Sequence, residues 1–246
     1  MPLNYVTLTK PLFSFLLTCL SGNLLAETAA HSAKPNLKPF QATYHIYKDG
    51  KVMAEQKTTL KKAATGEYIL SDKTIGTHGL ASFTGFERTE TSSFTTDSNH
   101  WTVSHHKMKQ KVAFSKRQFS FSNDGQNAQI TGSHKKKPFV LSNNEHPIAA
   151  HMLSVRLSAL ACFNQKTTFT VPVLKSKKLS QYQFTATTQT NKLIKVSRKY
   201  PDNIAKKSHI WFDPTQNCLA VKTQYTDDGD LIETKIKRFN GKAVAH

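Results

Sequence analysis

The sequence predicts a mainly β protein: a single curled antiparallel sheet, forming an open or incomplete β-barrel, with one amphipathic helix packed at its concave face. Roughly a dozen short segments alternate apolar and polar residues with a period of two, which is typical of half-buried strands. One segment instead has helical periodicity, and its apolar residues surround most of its circumference. A sheet of so many short strands is expected to curl, and the buried helix would then cover the inside of the curve.

The predicted strands form two series. The first begins at Phe40, alternates in polarity to Ile46 and turns at Asp49-Gly50, a strong hairpin signal. It continues through the segments 52–60, 68–74, 83–95, 101–109, 112–122, 128–131 and 138–141. The second series comprises 167–174, 182–190, 193–200, 208–212, 219–226 and 231–239, with Asn, Asp, Gly and Pro in the turns.

A helix is predicted between the two series, from Pro147 to Ala161, because proline suits the first helical turn and the residues that follow are mostly apolar. Its polar residues form a narrow stripe of His151, Ser154 and Ser158. Arg156 lies on the far side from this stripe. It is expected either to snorkel or form a structural ion pair, or to contact an anion inside the cavity of the sheet.

The first residues resemble a cleaved secretory signal: Lys10 precedes an apolar run that ends near Ala26. Thr18 stands where a lipoprotein signal usually has a small residue, so lipidation of Cys19 is not expected. The predicted organisation is a signal peptide at 1–26, a flexible tether at 27–39 and a single β-rich domain at 40–246. The expected location is therefore the periplasm, where nucleotide cofactors are absent.

The chain is strongly basic, with a formal net charge of +18 at pH 7. Such an excess favours acidic partners, which outside the cytoplasm are anionic lipids, lipopolysaccharide and other envelope components. The lysines occur at expected turn tips rather than on a basic helix, so nucleic acid is not an expected partner. The triplet Lys135-Lys136-Lys137 is the candidate contact with an anionic surface, although solvated charge that aids solubility is the alternative interpretation.

Cys162 and Cys218 remain after removal of the signal. An even number of cysteines in an oxidising compartment favours one disulfide, and two separate buried thiols are the alternative. We expect the disulfide to join the C-terminal end of the helix to a late strand. Their spacing excludes a Cys-x-x-Cys redox motif.

No catalytic motif is evident in the sequence, and no cofactor is expected. Glu87 and Glu90 fall on opposite faces of their strand, so they make a poor acid–base pair. Glu87 and Arg88 are expected first to be ion-pair partners on the sheet. Together with Arg156 and Trp211, whose ring could lie in the core or at a cavity mouth, they are the candidate ligand-binding residues.

Histidines cluster at 100–106 and near the start of the helix, but neither His-x-His nor His-Glu-x-x-His spacing occurs. His105 and His106 point to opposite faces of a regular strand. Surface or turn positions are therefore expected for the histidines, and no metal site is predicted.

The order of several motifs resembles the exported bacterial family catalogued as domain of unknown function 3108. The motifs are Phe40-Gln-Ala-Thr-Tyr-His-Ile-Tyr-Lys-Asp-Gly50, Gly66-Glu-Tyr-Ile-Leu-Ser-Asp-Lys-Thr74, His78-Gly-Leu-Ala-Ser-Phe83, Glu87-Arg-Thr89, Arg198, His209-Ile-Trp-Phe-Asp213 and Leu219-Ala-Val221. The sequence departs from the family pattern at His146, where an acidic residue is expected, and at Ala149, where a hydroxyl residue is common. The resemblance implies a periplasmic sheet protein without an assigned activity.

Two functions follow as hypotheses. The first is a non-catalytic envelope protein whose curved sheet binds an apolar or acyl ligand, or whose strand edge pairs with an outer-membrane partner. The second is a hydrolase acting on envelope glycan or lipid, with Glu87 and a histidine as acid and base.

Overall fold

The computed structural model describes residues 37–97, 100–123 and 129–244, which form sixteen strands in one sheet together with short helical segments. The predicted signal peptide and residues 27–36 of the predicted tether lie outside the described residues. The first eight strands are β1 (Phe40–Lys48), β2 (Lys51–Lys62), β3 (Tyr68–Gly76), β4 (Glu87–Thr96), β5 (Trp101–Val112), β6 (Ser115–Asn123), β7 (Gln129–His134) and β8 (Lys137–Ser142). The others are β9 (Ile148–Ala149), β10 (Thr168–Lys175), β11 (Lys178–Thr188), β12 (Ile194–Arg198), β13 (Lys207–Asp213), β14 (Leu219–Asp227), β15 (Asp230–Phe239) and β16 (Lys242–Ala243).

The sheet consists of two antiparallel arms that meet at the first and one of the last strands. From β1 one arm runs in sequence order through β2 to β8, and the other runs from β15 back through β14 to β9. The pair β9–β10 is parallel, and β16 pairs with β15 outside the main path. Strands β8 and β9 are the two ends of the path, so the sheet is curled and open, which confirms the predicted fold class.

Alternation within each strand gives the sheet an apolar concave face, and β-bulges add to its curvature. On β3, for example, Tyr68 and Leu70 are buried, while the intervening Ile69 lies on the other face and is partly exposed. The registers of the pairs β1–β15, β4–β5 and β13–β14 shift by one residue, as a bulge requires. Bulges bend a strand and increase its twist, which helps a sheet of this width to curl.

The predicted helix is present but begins later than proposed. Ile148 and Ala149, which follow Pro147, form the parallel strand β9. The helical segment then consists of a 3₁₀ turn at Ala150–Met152, a helix at Leu153–Ser158 and a π-type turn at Ala159–Phe163; this helix is α2, because the short helix α1 precedes it at Gly79–Phe83. Met152 and Leu157 are fully buried in the main core with residues of β2 to β7 and β10 to β13. The helical segment therefore packs against the concave face, as predicted.

One predicted strand begins too early. The expectation of a strand at 83–95 is wrong at its start, because Gly79–Phe83 forms a short helix, α1, and β4 begins only at Glu87. Gly79, the first residue of α1, and Gly85, two residues after its end, adopt the left-handed region with φ of +56° and +58°. Gly76 allows α1 to approach closely, since a Cβ atom there would overlap the Ala81 carbonyl group.

Cys162 and Cys218 form a disulfide, as the sequence predicts. Their Cα atoms are 6.3 Å apart, although 56 positions separate the two residues in the chain. The bridge joins the π-type turn at the end of the helical segment to the turn before β14. No helix within the described ranges is long and apolar enough to cross a membrane.

Candidate functional site: a cavity beside a buried polar network

A row of polar side chains interrupts the apolar concave face. Register pairs Thr58 of β2 with Asp72 of β3, and Asp72 with Glu90 of β4. Two residues further along β4, on the same face, Ser92 pairs with His106 of β5. These side chains share the face that buries Leu70 and Phe94, so each needs a polar partner within the protein.

His151 of the helical segment supplies the partners that join this row. Its Nδ1 lies 2.9 Å from Asp72 Oδ2, and its Nε2 lies 2.7 Å from Ser92 Oγ. Ser92 Oγ is also 2.9 Å from His106 Nδ1. Thr58 and Gln56 donate to Asp72 Oδ1 at 2.5 and 3.2 Å, so both carboxylate oxygens of Asp72 are engaged.

The geometry fixes the protons when Asp72 is ionised and both imidazoles are neutral. His151 Nδ1–H must donate to the Asp72 carboxylate, so His151 Nε2 accepts the Ser92 hydroxyl proton. Ser92 Oγ then accepts from His106 Nδ1–H. Burial, followed by the nearby His151 and Arg88, lowers the pKa of His106 to about 3, which keeps that ring neutral in neutral solution.

The order Asp72–His151–Ser92 is that of a hydrolase triad, in which a carboxylate orients a histidine that accepts the serine proton. Ser92, however, has 0% of its surface exposed, and it also accepts a bond from His106. A substrate carbonyl cannot reach its Oγ in this conformation. Through hydrogen bonds, Asp72, Ser92 and His106 instead link the helical segment to strands β3, β4 and β5.

A cavity of about 320 Å³ lies between the helical segment and strands β1, β2, β14 and β15. Its lining is mainly apolar and includes Leu37, Phe40, Leu60, Val155, Phe163, Leu219, Ala220 and Phe239. Gln56 and Thr58, both bonded to Asp72, contribute polar groups, and so does Tyr44, whose hydroxyl pKa is raised by burial and by the Asp72 charge. The other polar residues of the lining are Lys38, Ser154, Ser158, Gln216, Asn217, Thr223 and Thr234. The volume is at the lower end of the range of small-molecule sites.

A second recess, of about 410 Å³, lies on the other side of the polar row. Arg88, Arg117, Lys135 and Lys175 line it, and Glu90 is its acidic residue. Arg88 donates through Nε to Glu90 at 2.7 Å and through Nη1 to Gln110 at 3.3 Å, so its guanidinium is held in place. The recess is therefore basic, whereas the first cavity is apolar.

Three of the four predicted ligand-binding residues lie away from the apolar cavity and the basic recess. Glu87 is exposed and ion-paired with Lys73 at 3.5 Å, on the face opposite Glu90, as alternation predicts. Arg156 packs over Trp101, its guanidinium carbon 5.1 Å from the ring centroid, and burial lowers its pKa to about 10. Trp211 faces outwards between Lys195 and Lys222 rather than lying at a cavity mouth.

Arg88 is the predicted residue that does line a recess, where it pairs with Glu90 rather than with Glu87. Lys135 and Lys136 occupy the hairpin turn between β7 and β8 with φ of 51° and 66°, and Lys137 begins β8. All three lysines are exposed, as expected of a turn tip.

Two histidines are not at the predicted surface positions, because His106 and His151 are buried with ring centroids 5.3 Å apart. His100 and His146 also meet, at 4.7 Å between ring centroids. Among the described residues, no group of three or more histidine, cysteine or carboxylate side chains could hold a metal ion.

Sequence reasoning placed His151 on the polar stripe of the helix but missed the strand residues that it contacts, although one signal was present. Asp72 follows Tyr68 and Leu70 on the same face, and Ser92 precedes Phe94 in the same way, so both are polar residues at core positions. His106 was harder to place. The register shift between β4 and β5 moves His106, rather than His105, to the face of Val103.

The fold defines this protein as a β-barrel-like protein, and a mainly apolar cavity lies between its helical segment and its sheet. It is similar to a crystal structure of a β-barrel-like protein of domain of unknown function 1849 from Brucella abortus, with a TM-score of 0.56 and 7% sequence identity. The similarity covers 83% of this chain and 98% of that one, and it concerns the fold alone. No family model and no curated protein matches the chain, so the resemblance to domain of unknown function 3108 stays a prediction.

Proposed function

We propose that this chain is a non-catalytic periplasmic binding protein that holds an apolar, acyl-type ligand. The observation that carries the proposal is the cavity of about 320 Å³ between the helical segment and strands β1, β2, β14 and β15. Apolar atoms form the larger part of its lining surface, and polar side chains, among them Gln56, Thr58, Tyr44 and Lys38, form the rest. A mainly apolar pocket with a small number of fixed polar groups is the usual form of a small-molecule site.

Thr223→Trp tests the cavity directly. Thr223 of β14 lines the cavity and faces Thr234 across the β14–β15 pair, so an indole would fill the space. Gln224→Trp is the matched control, because the next residue on the strand points to the opposite face. We expect Thr223→Trp to weaken binding of a fluorescent fatty acid by roughly ten-fold or more, and the control to bind as the unmodified protein does.

Extraction of the protein purified from the periplasm, followed by mass spectrometry, identifies the ligand. A lipid at stoichiometric level, absent from Thr223→Trp, supports the proposal. Absence of lipid, together with equal fatty-acid binding by both tryptophan variants, refutes it.

The hydrolase alternative depends on Ser92 rather than on Glu87. Glu87 is exposed, is ion-paired with Lys73 and lies on the face of β4 opposite Ser92. The observation in its favour is the Asp72–His151–Ser92 chain. A fluorophosphonate reagent distinguishes the two functions, because it labels serines that act as nucleophiles. We expect no label on Ser92. Labelling that is lost in Ser92→Ala, with ester turnover lost in parallel, would establish the hydrolase.

For partners, we propose an outer-membrane or envelope component bearing negative charge, such as anionic lipid or lipopolysaccharide. The exposed Lys135, Lys136 and Lys137 support it. Changing all three to Gln should weaken lipopolysaccharide binding in a salt-dependent manner and leave stability nearly unchanged. Strand pairing along the edge of β8, where Val140 is exposed, is the competing mode, and its capture of an outer-membrane protein would be insensitive to salt and to the triple substitution.

A further inference from the structure

One end of the sheet presents large apolar side chains to solvent. Leu80 and Phe83 of α1 are 77% and 89% exposed, and Phe114, in the turn between β5 and β6, is fully exposed. We call these three residues the apolar tip. Turns normally carry small or polar residues. Because its side chain is fully exposed, Phe114 gains nothing from packing in the isolated chain, and such exposed apolar groups often mark an interaction surface.

The backbone brings the two parts of the tip together. The Ala113 amide donates to the Thr84 carbonyl at 2.7 Å, and these residues are the immediate chain neighbours of Phe114 and Phe83. Ile75, at the end of β3 beside α1, is also exposed and widens the apolar surface. The tip is therefore one surface formed by two segments that lie about thirty positions apart in the chain.

Basic side chains flank this surface on the outer face of the sheet. Lys107, Lys109 and Lys111 alternate along β5 and are all exposed, and Lys116 follows on β6 immediately after the turn that carries Phe114. Glu87, which pairs in register with Lys111, is already ion-paired with Lys73. We call Lys107, Lys109, Lys111 and Lys116 the lysine stripe.

From this arrangement we propose that the apolar tip inserts into an anionic phospholipid bilayer while the lysine stripe contacts the lipid phosphates. Exposed phenylalanine and leucine side chains flanked by lysines are characteristic of segments that bind at the membrane interface. The charge of the stripe is complementary to an anionic lipid surface, which distinguishes a bilayer from an uncharged apolar partner. The docking surface is separate from the cavity and does not depend on a ligand being bound there.

Vesicle co-sedimentation tests the apolar part of this surface. Phe83→Ser combined with Phe114→Ser should lower partitioning onto phosphatidylglycerol-containing vesicles by on the order of ten-fold per side chain, because each transfer from water into lipid is worth about that factor. Ile204→Ser is the matched control, since Ile204 is 92% exposed elsewhere and should leave binding unchanged. Unchanged unfolding midpoints of all variants confirm that folding is intact.

The lysine stripe is tested by Lys109→Gln with Lys111→Gln, compared with Lys57→Gln and Lys61→Gln on the outer face of β2. We expect the first pair to weaken binding several-fold and the second to have a smaller effect. Binding of the unmodified protein should fall with added salt and should be weak on phosphatidylcholine vesicles.

Insertion itself is reported by Phe114→Trp. Its added emission should shift to shorter wavelength with anionic vesicles, whereas that of Ile204→Trp should not.

Equal vesicle binding by the double serine variant and the unmodified protein overturns the proposal. The proposal is also overturned if the unmodified protein does not bind vesicles but forms a dimer that the double serine variant does not form. A second copy of the chain would then be the partner of the apolar tip. Binding to lipopolysaccharide but not to phospholipid vesicles would overturn the choice of phospholipid. Thr223→Trp should not affect vesicle binding, and this result would separate membrane binding from ligand binding in the cavity.

Discussion

At the residue scale, Ser92 joins the two buried histidines of the network. Its hydroxyl is hydrogen-bonded to two imidazoles, and the residue is completely buried on the concave face. A buried polar group is tolerated only when its partners are present, so the serine and the two histidines depend on one another. We therefore interpret the Asp72–His151–Ser92–His106 chain as a structural network.

Ser92→Ala should lower the free energy of unfolding by about 1–3 kcal/mol, because the histidine nitrogens that face Ser92 lose their partner in a site closed to water. Ser71→Ala is the matched control, since Ser71 lies on the other face of β3, where its contact with Thr91 is exposed. That change should stay within about 0.5 kcal/mol. Urea denaturation measures both, and equal effects would contradict the structural interpretation of Ser92.

His106 predicts how stability depends on pH. Its folded-state pKa is lowered to about 3, whereas in the unfolded chain it stays near its ordinary value. Between these values the unfolded chain binds the proton and the folded protein does not, so stability is full above about pH 6.5 and is lost as pH falls towards 3. The loss from this group by pH 4.5 should be on the order of 2 kcal/mol.

Urea denaturation at pH 7 and 4.5 measures this loss, and His106→Gln should show a smaller difference between the two pH values. Histidine NMR gives a second readout. A His106 resonance that titrates between pH 5 and 7 would show that the ring is not held neutral by its surroundings.

At the element scale, three connections hold the helical segment over the concave face. His151 joins the beginning of the segment to β3 and β4. Ser158 Oγ donates to the Cys218 carbonyl at 2.8 Å, and the disulfide links Cys162, at the end of the segment, to Cys218. The last two connections reach the turn before β14, which also lines the apolar cavity. The position of the helical segment therefore determines the shape of the cavity.

Replacing both Cys162 and Cys218 by Ser should lower stability by about 4 kcal/mol in the chain-entropy description, given the length of the loop that the bridge closes. We also expect the variant to bind fatty acid more weakly, because the end of the helical segment is released from the cavity wall. Thiol labelling in denaturant without reductant, mapped by peptide mass spectrometry, checks the bridge. Labels on both Cys162 and Cys218 would disprove it.

At the scale of the whole molecule, the sheet is joined at its centre by strands from the two ends of the described chain. β15 pairs with both β1 and β14, so the two arms are connected only when the C-terminal part of the chain has been added. Pairing between strands so distant in sequence is expected to form slowly, because closure of a long loop precedes any gain from contacts.

A chain ended after Asp227 should fail to fold, since it lacks β15 and the connection between the two arms. A chain ended after Gly241 lacks only β16 among the strands, which pairs outside the main path, and it should fold with a small loss of stability. Circular dichroism and urea denaturation of the two chains measure the difference. Cooperative unfolding of the shorter chain would show that each arm is stable alone.

Most elements of the fold could be predicted from local pattern, because a period of two marks strands and a circumference of apolar residues marks a buried helix. The start of β4 could not be predicted, since α1 depends on two left-handed glycines and on close packing against Gly76. The same limit applied to His106. Its direction depends on a bulge, and alternation read from the sequence does not show where an extra residue interrupts the strand.

The sequence by itself determined the open antiparallel sheet, the buried helix, the disulfide and the exposed lysine turn, because each follows from spacing, composition or residue chemistry along the chain. Only the tertiary structure decided the polar network, the apolar cavity and the apolar tip. His151 meets Asp72 and Ser92 across 79 and 59 positions of sequence, and such meetings depend on strand register and on how the helical segment crosses the sheet. Local periodicity gives the face of a residue, whereas curvature and register decide which residues on that face come together.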